Sequence, residues 1–273
     1  MAAALAAGLV ATLVTVLIEK YGGLIGGALG TMPTTIVPAA IGMAIAQNET
    51  DLMASLSVVP SGMLVNAIFL SVWIYLPEKL SETSKNRGLT STTIASLVVW
   101  TIVGMSAIFI IEEGKTRGFS SKEIASIGVI LTAAFGLTLG WNPRETPSGT
   151  NKVSKSVLIA RGTMAATAIG ISVWVAGLGY PLIAGLASVF PAIFLTSMVA
   201  LWISQGSSVP RGAAAPMLLG GGSVGLYALV AMTTLGKYGL IWGTIFAWFA
   251  AVIFWSLPAY SYLNWRNSQL RSD

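Results

Sequence analysis

Hydroxyl, amide and proline residues that could bind a small solute recur in two similar segments of the chain. The first segment is GTMPTTIVPAAIGMAIAQ (residues 30–47), and the second is SVFPAIFLTSMVALWISQ (residues 188–205). The candidate binding residues lie in these segments and in the apolar stretch that follows each of them: Thr31, Pro33, Thr34, Thr35, Pro38, Asn66, Pro191, Thr196, Ser197 and Ser223. Proline removes a backbone donor and disfavours helix at the preceding residue. Carbonyl and hydroxyl oxygens released in this way can hold an ion or a polar group.

Other kinds of chemistry lack the residues that they need. The chain has no cysteine and no histidine, which excludes thiolate or imidazole metal sites and histidine acid–base catalysis. The ionisable residues Glu19, Lys20, Glu112 and Glu113 fall at the ends of apolar runs. Arg161 lies one to two turns inside an apolar run, and we expect its side chain to extend to the cytoplasmic surface. The sequence therefore predicts no enzyme activity, no cofactor, and a solute that is recognised without an ionised side chain.

The elements that carry these residues are long apolar runs. Of the 273 residues, 55% are hydrophobic and 9% are charged, whereas a soluble domain is about a quarter charged. A bilayer core takes about 20 helical residues to cross. We therefore predict an all-α polytopic membrane protein, forming a single transmembrane domain over residues 1–273. Its nine predicted spans are 3–19, 22–46, 52–76, 91–111, 124–141, 156–178, 181–204, 212–235 and 239–263.

The basic residues predict the orientation of these spans. With nine spans, eleven lysines and arginines fall on the side reached after the first span, and four fall on the other side. Because cytoplasmic loops carry the excess of lysine and arginine, we predict an N-terminus outside and a C-terminus inside, in a cytoplasmic (plasma) membrane. The net charge of +5 is explained by this bias, so it does not indicate nucleic-acid binding.

The two proline segments indicate an internal repeat. Pro33 and Gln47 match Pro191 and Gln205 at an offset of 158 residues, and LIGG (residues 24–27) matches LIAG (residues 182–185). Pro60 and Pro216 follow with a slip of two residues. Spans 1–4 (about residues 1–112) then correspond to spans 6–9 (about 156–265), joined by a connecting helix and linker (about 113–155). Since the offset is five spans, the two copies have opposite topology, an arrangement found in many secondary transporters.

These patterns favour a small secondary transporter or facilitator that moves a small polar solute or ion through a midplane site between the two proline-broken helices. Two alternatives remain open at this point: a channel in which both breaks form a constriction, and a membrane assembly protein whose prolines serve helix packing alone. The predicted partners are the lipid bilayer and the solute. A second copy of the chain could bind through the aromatic last helix, IWGTIFAWFAAVIFWSLPAYSYLNW (residues 241–265).

Overall fold

The computed structural model describes residues 1–21, 32–80, 84–141 and 154–270, and every regular element within them is helical. The all-α fold class is thereby confirmed. In chain order the helices are α1 (Ala2–Tyr21), α2 (Ile36–Ala46), α3 (Glu49–Lys79), α4 (Lys85–Thr116), α5 (Ser121–Trp141), α6 (Lys155–Gly177), α7 (Pro181–Ser188), α8 (Ala192–Gln205), α9 (Ser208–Ala251), a π-helical turn (Val252–Ser256) and α10 (Leu257–Leu270).

Six helical stretches among the described residues are long and apolar enough to cross a membrane. They are α3, α4, α5, α6, the pair α7–α8 (Pro181–Gln205) and the run Ser208–Arg266. Two shorter apolar stretches, Ala2–Leu17 and Ile36–Ala46, accompany them. The helices fit a polytopic membrane protein with six candidate crossings. The predicted total of nine depends on how the shorter helices and the last, 59-residue run are counted.

The last run is a helical hairpin and not one rod. Gly239 interrupts α9 with φ 73° and ψ 176°, a backbone conformation that is essentially restricted to glycine. The Thr234 Oγ1 donates to the Gly243 carbonyl at 2.8 Å, although nine helical residues would separate these groups by about 14 Å along a straight axis. Farther from the turn, the Trp255 Nε1 donates to the Leu219 carbonyl at 2.7 Å. The residues before and after Gly239 therefore form two antiparallel arms.

Two of the candidate crossings occupy the centre of the bundle. In α3, 72% of the most apolar window is buried, and in α7–α8 the share is 67%. In α4, α5, α6 and the last run it is 28–33%. The outer helices instead present many large exposed apolar side chains, such as Ile102, Phe109 and Phe254. Continuous apolar exposure on this scale is rare in soluble proteins and fits contact with lipid.

Polar residues define where the helices begin. The Asn48 side chain accepts from the Asp51 backbone N–H at 2.9 Å and caps α3. At α5, Ser120 and Glu123 form a reciprocal capping box, in which the Ser120 N–H donates to Glu123 Oε2 at 2.7 Å and the Glu123 N–H donates to Ser120 Oγ at 3.3 Å. Pro181 starts α7 at a position where no backbone donor is needed. Short-range sequence signals thus set these boundaries.

Candidate solute-binding site

The helix pair α7–α8 is interrupted at Pro191, in the second proline segment. Ser188 ends α7, Ala192 begins α8, and residues 189–191 between them are not α-helical. Pro191 has no backbone N–H to continue the ladder of α7, and its carbonyl accepts the first bond of α8 from the Leu195 N–H at 2.7 Å. The break leaves carbonyls of the preceding residues available for other donors.

Asn66 supplies such a donor from the neighbouring helix α3. Its Nδ2 donates to the Val189 carbonyl at 2.8 Å, and its Oδ1 accepts from the Trp100 Nε1 of α4 at 2.7 Å. The Trp100 ring also packs edge-on against Phe190, with 5.2 Å between the ring centroids. Asn66 is 3% exposed. This Asn66–Trp100 bridge satisfies a buried backbone carbonyl in the break and ties α7 to α3 and α4.

The first proline segment behaves differently at its two prolines. Residues 32–35 are not helical, the Thr34 N–H donates to the Met32 carbonyl at 2.9 Å, and α2 begins only at Ile36. Pro38, in contrast, is the third residue of α2, where the backbone N–H groups have no intrahelical acceptor. Pro38 therefore does not interrupt a helix. Thr31 lies outside the described residues.

A buried arginine contacts one of the predicted site residues. Arg161 is 8% exposed; its Nη1 donates to Thr15 Oγ1 of α1 at 2.8 Å, and its Nη2 donates to Ser197 Oγ of α8 at 2.9 Å. The expectation that Arg161 extends to the cytoplasmic surface is wrong, because hydroxyl oxygens of two neighbouring helices replace water at the guanidinium. Sequence reasoning missed Thr15 as well. The available signal was the arginine within an apolar helix, which commonly marks a functional position.

Ser197 and Thr196 both bond to their own helix. The Ser197 Oγ donates to the Ile193 carbonyl at 2.6 Å, so its lone pairs remain to accept from Arg161. The Thr196 Oγ1 donates to the Ala192 carbonyl at 2.8 Å, in the first turn after the break. Thr196 is 9% exposed. Both hydroxyls can therefore act as acceptors toward a further group.

Thr34 and Pro38 line an apolar recess, which we call the lateral groove. Its volume is about 330 Å³, and its lining residues come from α1, the start of α2 and the second arm of α9: Val10, Thr34, Val37, Pro38, Thr244, Ile245, Trp248 and Phe249. Tyr227, which is fully buried in the first arm, lies beside Thr244. The Tyr227 and Thr244 hydroxyls are both buried and lie close enough to pair with each other, and neither has another hydrogen-bond partner within the described part of the chain. Sequence reasoning assigned no role to either residue.

The remaining predicted residue, Ser223 of α9, is 1% exposed, and its hydroxyl has no hydrogen-bond partner in the described ranges. Four of the predicted residues are thus placed by contacts: Asn66 at the Pro191 break, Ser197 at Arg161, and Thr34 with Pro38 in the lateral groove. Ile36 at the start of α2 and Val189 in the break belong to one continuous buried cluster. Among the described residues, no group of three or more acidic residues could hold a metal ion.

Comparison with known proteins does not assign this arrangement to a family. No family model matches the chain, and no curated protein or solved structure is detectably similar to it. Any functional conclusion therefore rests on the geometry of the helix breaks and of the buried polar groups.

Proposed function

We propose that the chain is a small secondary transporter or facilitator for a small polar solute or ion, built from nine spans as an inverted repeat. The observation that carries the proposal is the break of α7–α8 at Pro191, together with its buried amide partner. A helix interrupted inside a bundle exposes backbone groups that only protein, water or a bound solute can satisfy. In many transporters such discontinuous helices bind the substrate at the interface between repeats.

Contacts of two tryptophans support the repeat. Asn66 follows Pro60 by six residues, and Gly222 follows Pro216 by six residues. Trp100 contacts Asn66 in the first half, and the Trp255 ring occupies the space that a side chain at Gly222 would need. The indole of Trp100 donates to Asn66, whereas the indole of Trp255 donates to the Leu219 carbonyl of α9. A tryptophan from the next helix thus contacts the sixth residue after the proline in each half, as an internal repeat would produce.

The position of α5 supports its role as the connector between the halves. The Thr132 Oγ1 donates to the Pro60 carbonyl of α3 at 3.2 Å. One turn later, Gly136 lies against Leu218 and Leu219 of α9. A single helix thus packs on both proline-containing helices, as a connector at the repeat interface should. With the two arms of the last run counted separately, and the short helices α1 and α2 each assigned to a span, the count becomes nine.

The break also separates fixed from movable polar groups. The Asn66 side chain donates to the Val189 carbonyl. The residue that corresponds to Asn66 in the second half is Gly222, which has no side chain to donate a hydrogen bond. In this proposal, α7–α8 stays fixed on α3 and α4 while the segment around Pro33 moves relative to them. Thr35 and Thr196 then face the solute path from the two halves.

The absence of native cysteine allows a direct test by labelling. Thr35→Cys, Thr196→Cys and Phe254→Cys are made singly, and sealed vesicles are treated on either side with a membrane-impermeant maleimide. Phe254 is the matched control because its side chain is 72% exposed on the outer surface, where lipid is expected. We expect Thr35→Cys and Thr196→Cys to react, each from one side at a time, and Phe254→Cys to stay unlabelled.

Candidate solutes are then added in pools during labelling. A pool that changes the rate at Thr35→Cys and Thr196→Cys together identifies a solute class for the shared path. Labelling of one site from both sides at the same time would indicate a channel and not a transporter. If both sites remain as unreactive as Phe254→Cys under every condition, the prolines serve packing and the proposal is wrong.

A further inference from the structure

Four helices meet at one end of the bundle, the end that the predicted orientation places in the cytoplasm: α3 and α8 end there, and α4 and α9 begin there. Lys85, the first residue of α4, donates from Nζ to the Ile203 carbonyl of α8 at 3.1 Å. Arg211, near the start of α9, donates from Nε to the Ile74 carbonyl of α3 at 3.2 Å. Each half of the proposed repeat therefore contributes one basic side chain that binds a backbone carbonyl of the other half.

Both basic residues have the chemistry to hold a helix end. The Ile203 carbonyl is among the last four of α8, which have no donor within their own helix. A cation near a helix C-terminus also interacts favourably with the helix dipole. Arg211 makes a second contact, because its Nη2 lies 3.1 Å from Glu78 Oε2 in the last turn of α3, and its side chain is only 20% exposed. One planar guanidinium thus binds two acceptors of α3 at once.

Two tryptophans next to these carbonyls in the chain contact each other. Trp73 precedes Ile74, Trp202 precedes Ile203, and the centroids of the two rings are 6.0 Å apart in an edge-to-face arrangement. Trp73 is fully buried and Trp202 is 4% exposed. The Trp202 ring also lies against Gly88 of α4, where an added Cβ would meet it at 3.4 Å. The aromatic pair therefore packs α3, α4 and α8 together beside the two basic contacts.

Met198 connects this aromatic pair to the candidate site. It lies one turn before Trp202 on α8 and two residues after Thr196. Its side chain is fully buried and belongs to the same buried cluster as both tryptophans. A solute that passed between α8 and α3, from Thr196 to this end of the bundle, would have to displace the Trp73–Trp202 pair.

We propose that the two basic residues and the Trp73–Trp202 pair form a clasp, which keeps this end of α8 and α9 attached to α3 and α4 and seals the space between α8 and α3. The clasp stays closed whether or not a solute is bound. A route from the site to the cytoplasm then lies on the other side of α8, toward α6 and the segment around Pro33. Only this last consequence rests on the proposed transport function.

A cysteine at Met198 measures how often the clasp opens, since the chain has no native cysteine. The full chain with Met198→Cys is placed in sealed vesicles, and labelling by a membrane-impermeant maleimide is followed from each side, with and without the solute pools. We expect this position to stay unreactive throughout. Adding Arg211→Met should raise the labelling rate from the cytoplasmic side about ten-fold, the change expected when one hydrogen bond to a charged group is lost. Lys85→Met should have a smaller effect, because the Lys85 contact is exposed.

Arg117→Met is the matched control for Arg211→Met. Arg117 also pairs with a glutamate, at 2.9 Å from Glu113, but this partner lies in its own helix at the other end of α4. The control should therefore leave the labelling of Met198→Cys unchanged. Size-exclusion and circular-dichroism profiles report whether each variant folds. Amide hydrogen exchange over residues 198–205, compared between the unaltered chain and Arg211→Met, gives the same comparison without an introduced cysteine.

Two results would overturn the proposal. One is an equal effect of Arg211→Met and Arg117→Met on labelling and on exchange. The other is cytoplasmic labelling of Met198→Cys in the otherwise unaltered chain when a solute pool is added, since the clasp would then open as a gate. Failure of the transport proposal is distinct from both: Thr196→Cys would never react, while the clasp variants would still raise the labelling of Met198→Cys.

Discussion

Asn66 is the residue whose side chain does most to hold the break at Pro191 in place. One amide group satisfies both the Val189 carbonyl and the Trp100 indole, and all three groups are in the bundle interior. An apolar residue at this position would leave a buried acceptor and a buried donor without partners. The break itself follows from proline chemistry, but its stable burial depends on this amide from another helix.

We predict that Asn66→Ala lowers the free energy of unfolding by about 1–3 kcal/mol, the cost of leaving buried polar groups unsatisfied. Stepwise unfolding in detergent measures the change. Ser71→Ala is a matched control on the same helix, because the Ser71 hydroxyl donates only to the Ala67 carbonyl of its own helix. The effect of this substitution on the free energy of unfolding should stay within about 0.5 kcal/mol. With Trp100→Phe as background, the Asn66→Ala cost should shrink, and additive costs would show that the bridge is not a coupled unit.

Arg161 shows how the surroundings decide the position of a charged side chain. When its helix is considered alone, Arg161 lies close enough to the end of the span for its side chain to extend to the surface. In the folded bundle, Thr15 and Ser197 face it from α1 and α8 and accept two of its N–H groups. The guanidinium fork can reach two acceptors on different helices, which the single ammonium of a lysine could not do in the same geometry.

At the scale of elements, the reversal at Gly239 turns one apolar run into two packed arms. The turn needs a backbone conformation that residues with a Cβ adopt at a cost of about 1–3 kcal/mol. The close approach of the arms directly beyond it, at Thr234 and Gly243, depends on the same geometry. Glycine at this position therefore determines the packing of the second arm of α9 against the first arm, and with it the shape of the lateral groove.

We predict that Gly239→Ala lowers the free energy of unfolding by about 1–3 kcal/mol, since φ at this position is 73°. Gly177→Ala is the matched control: this glycine ends α6, and an added Cβ would meet no atom within 4 Å. That substitution should be neutral or raise stability by up to about 1 kcal/mol. Thermal unfolding of both variants in the same detergent compares them. Equal effects of the two substitutions would contradict the assigned turn.

At the scale of the whole molecule, the proposed nine spans fix the sides on which the termini lie. An odd number of crossings would place the N-terminus and the C-terminus on opposite faces, and the distribution of lysine and arginine predicts that the C-terminus is inside. We therefore expect Ala2→Cys to react with an impermeant reagent on intact cells, and Ser268→Cys to react only after the cells are opened.

A control position in the turn between α4 and α5 should lie on the same side of the membrane as the N-terminus. Thr116 ends α4, after four proposed spans, so Thr116→Cys should react on intact cells as Ala2→Cys does. Reaction of Ala2→Cys and Ser268→Cys from the same side would mean an even number of crossings. In that case both the nine-span count and the inverted repeat would have to be abandoned.

The amino-acid sequence alone determined the helical class and the position of the break at Pro191. Hydropathy and proline act over a few neighbouring residues, and no distant contact is needed to read their effects. The same reasoning misjudged the environment of Arg161 and did not find that Thr244 lines the same recess as Thr34. These depend on which helices pack together. Only the tertiary structure decided that Asn66 would satisfy the Val189 carbonyl, because 123 residues separate the two partners and no local pattern links them.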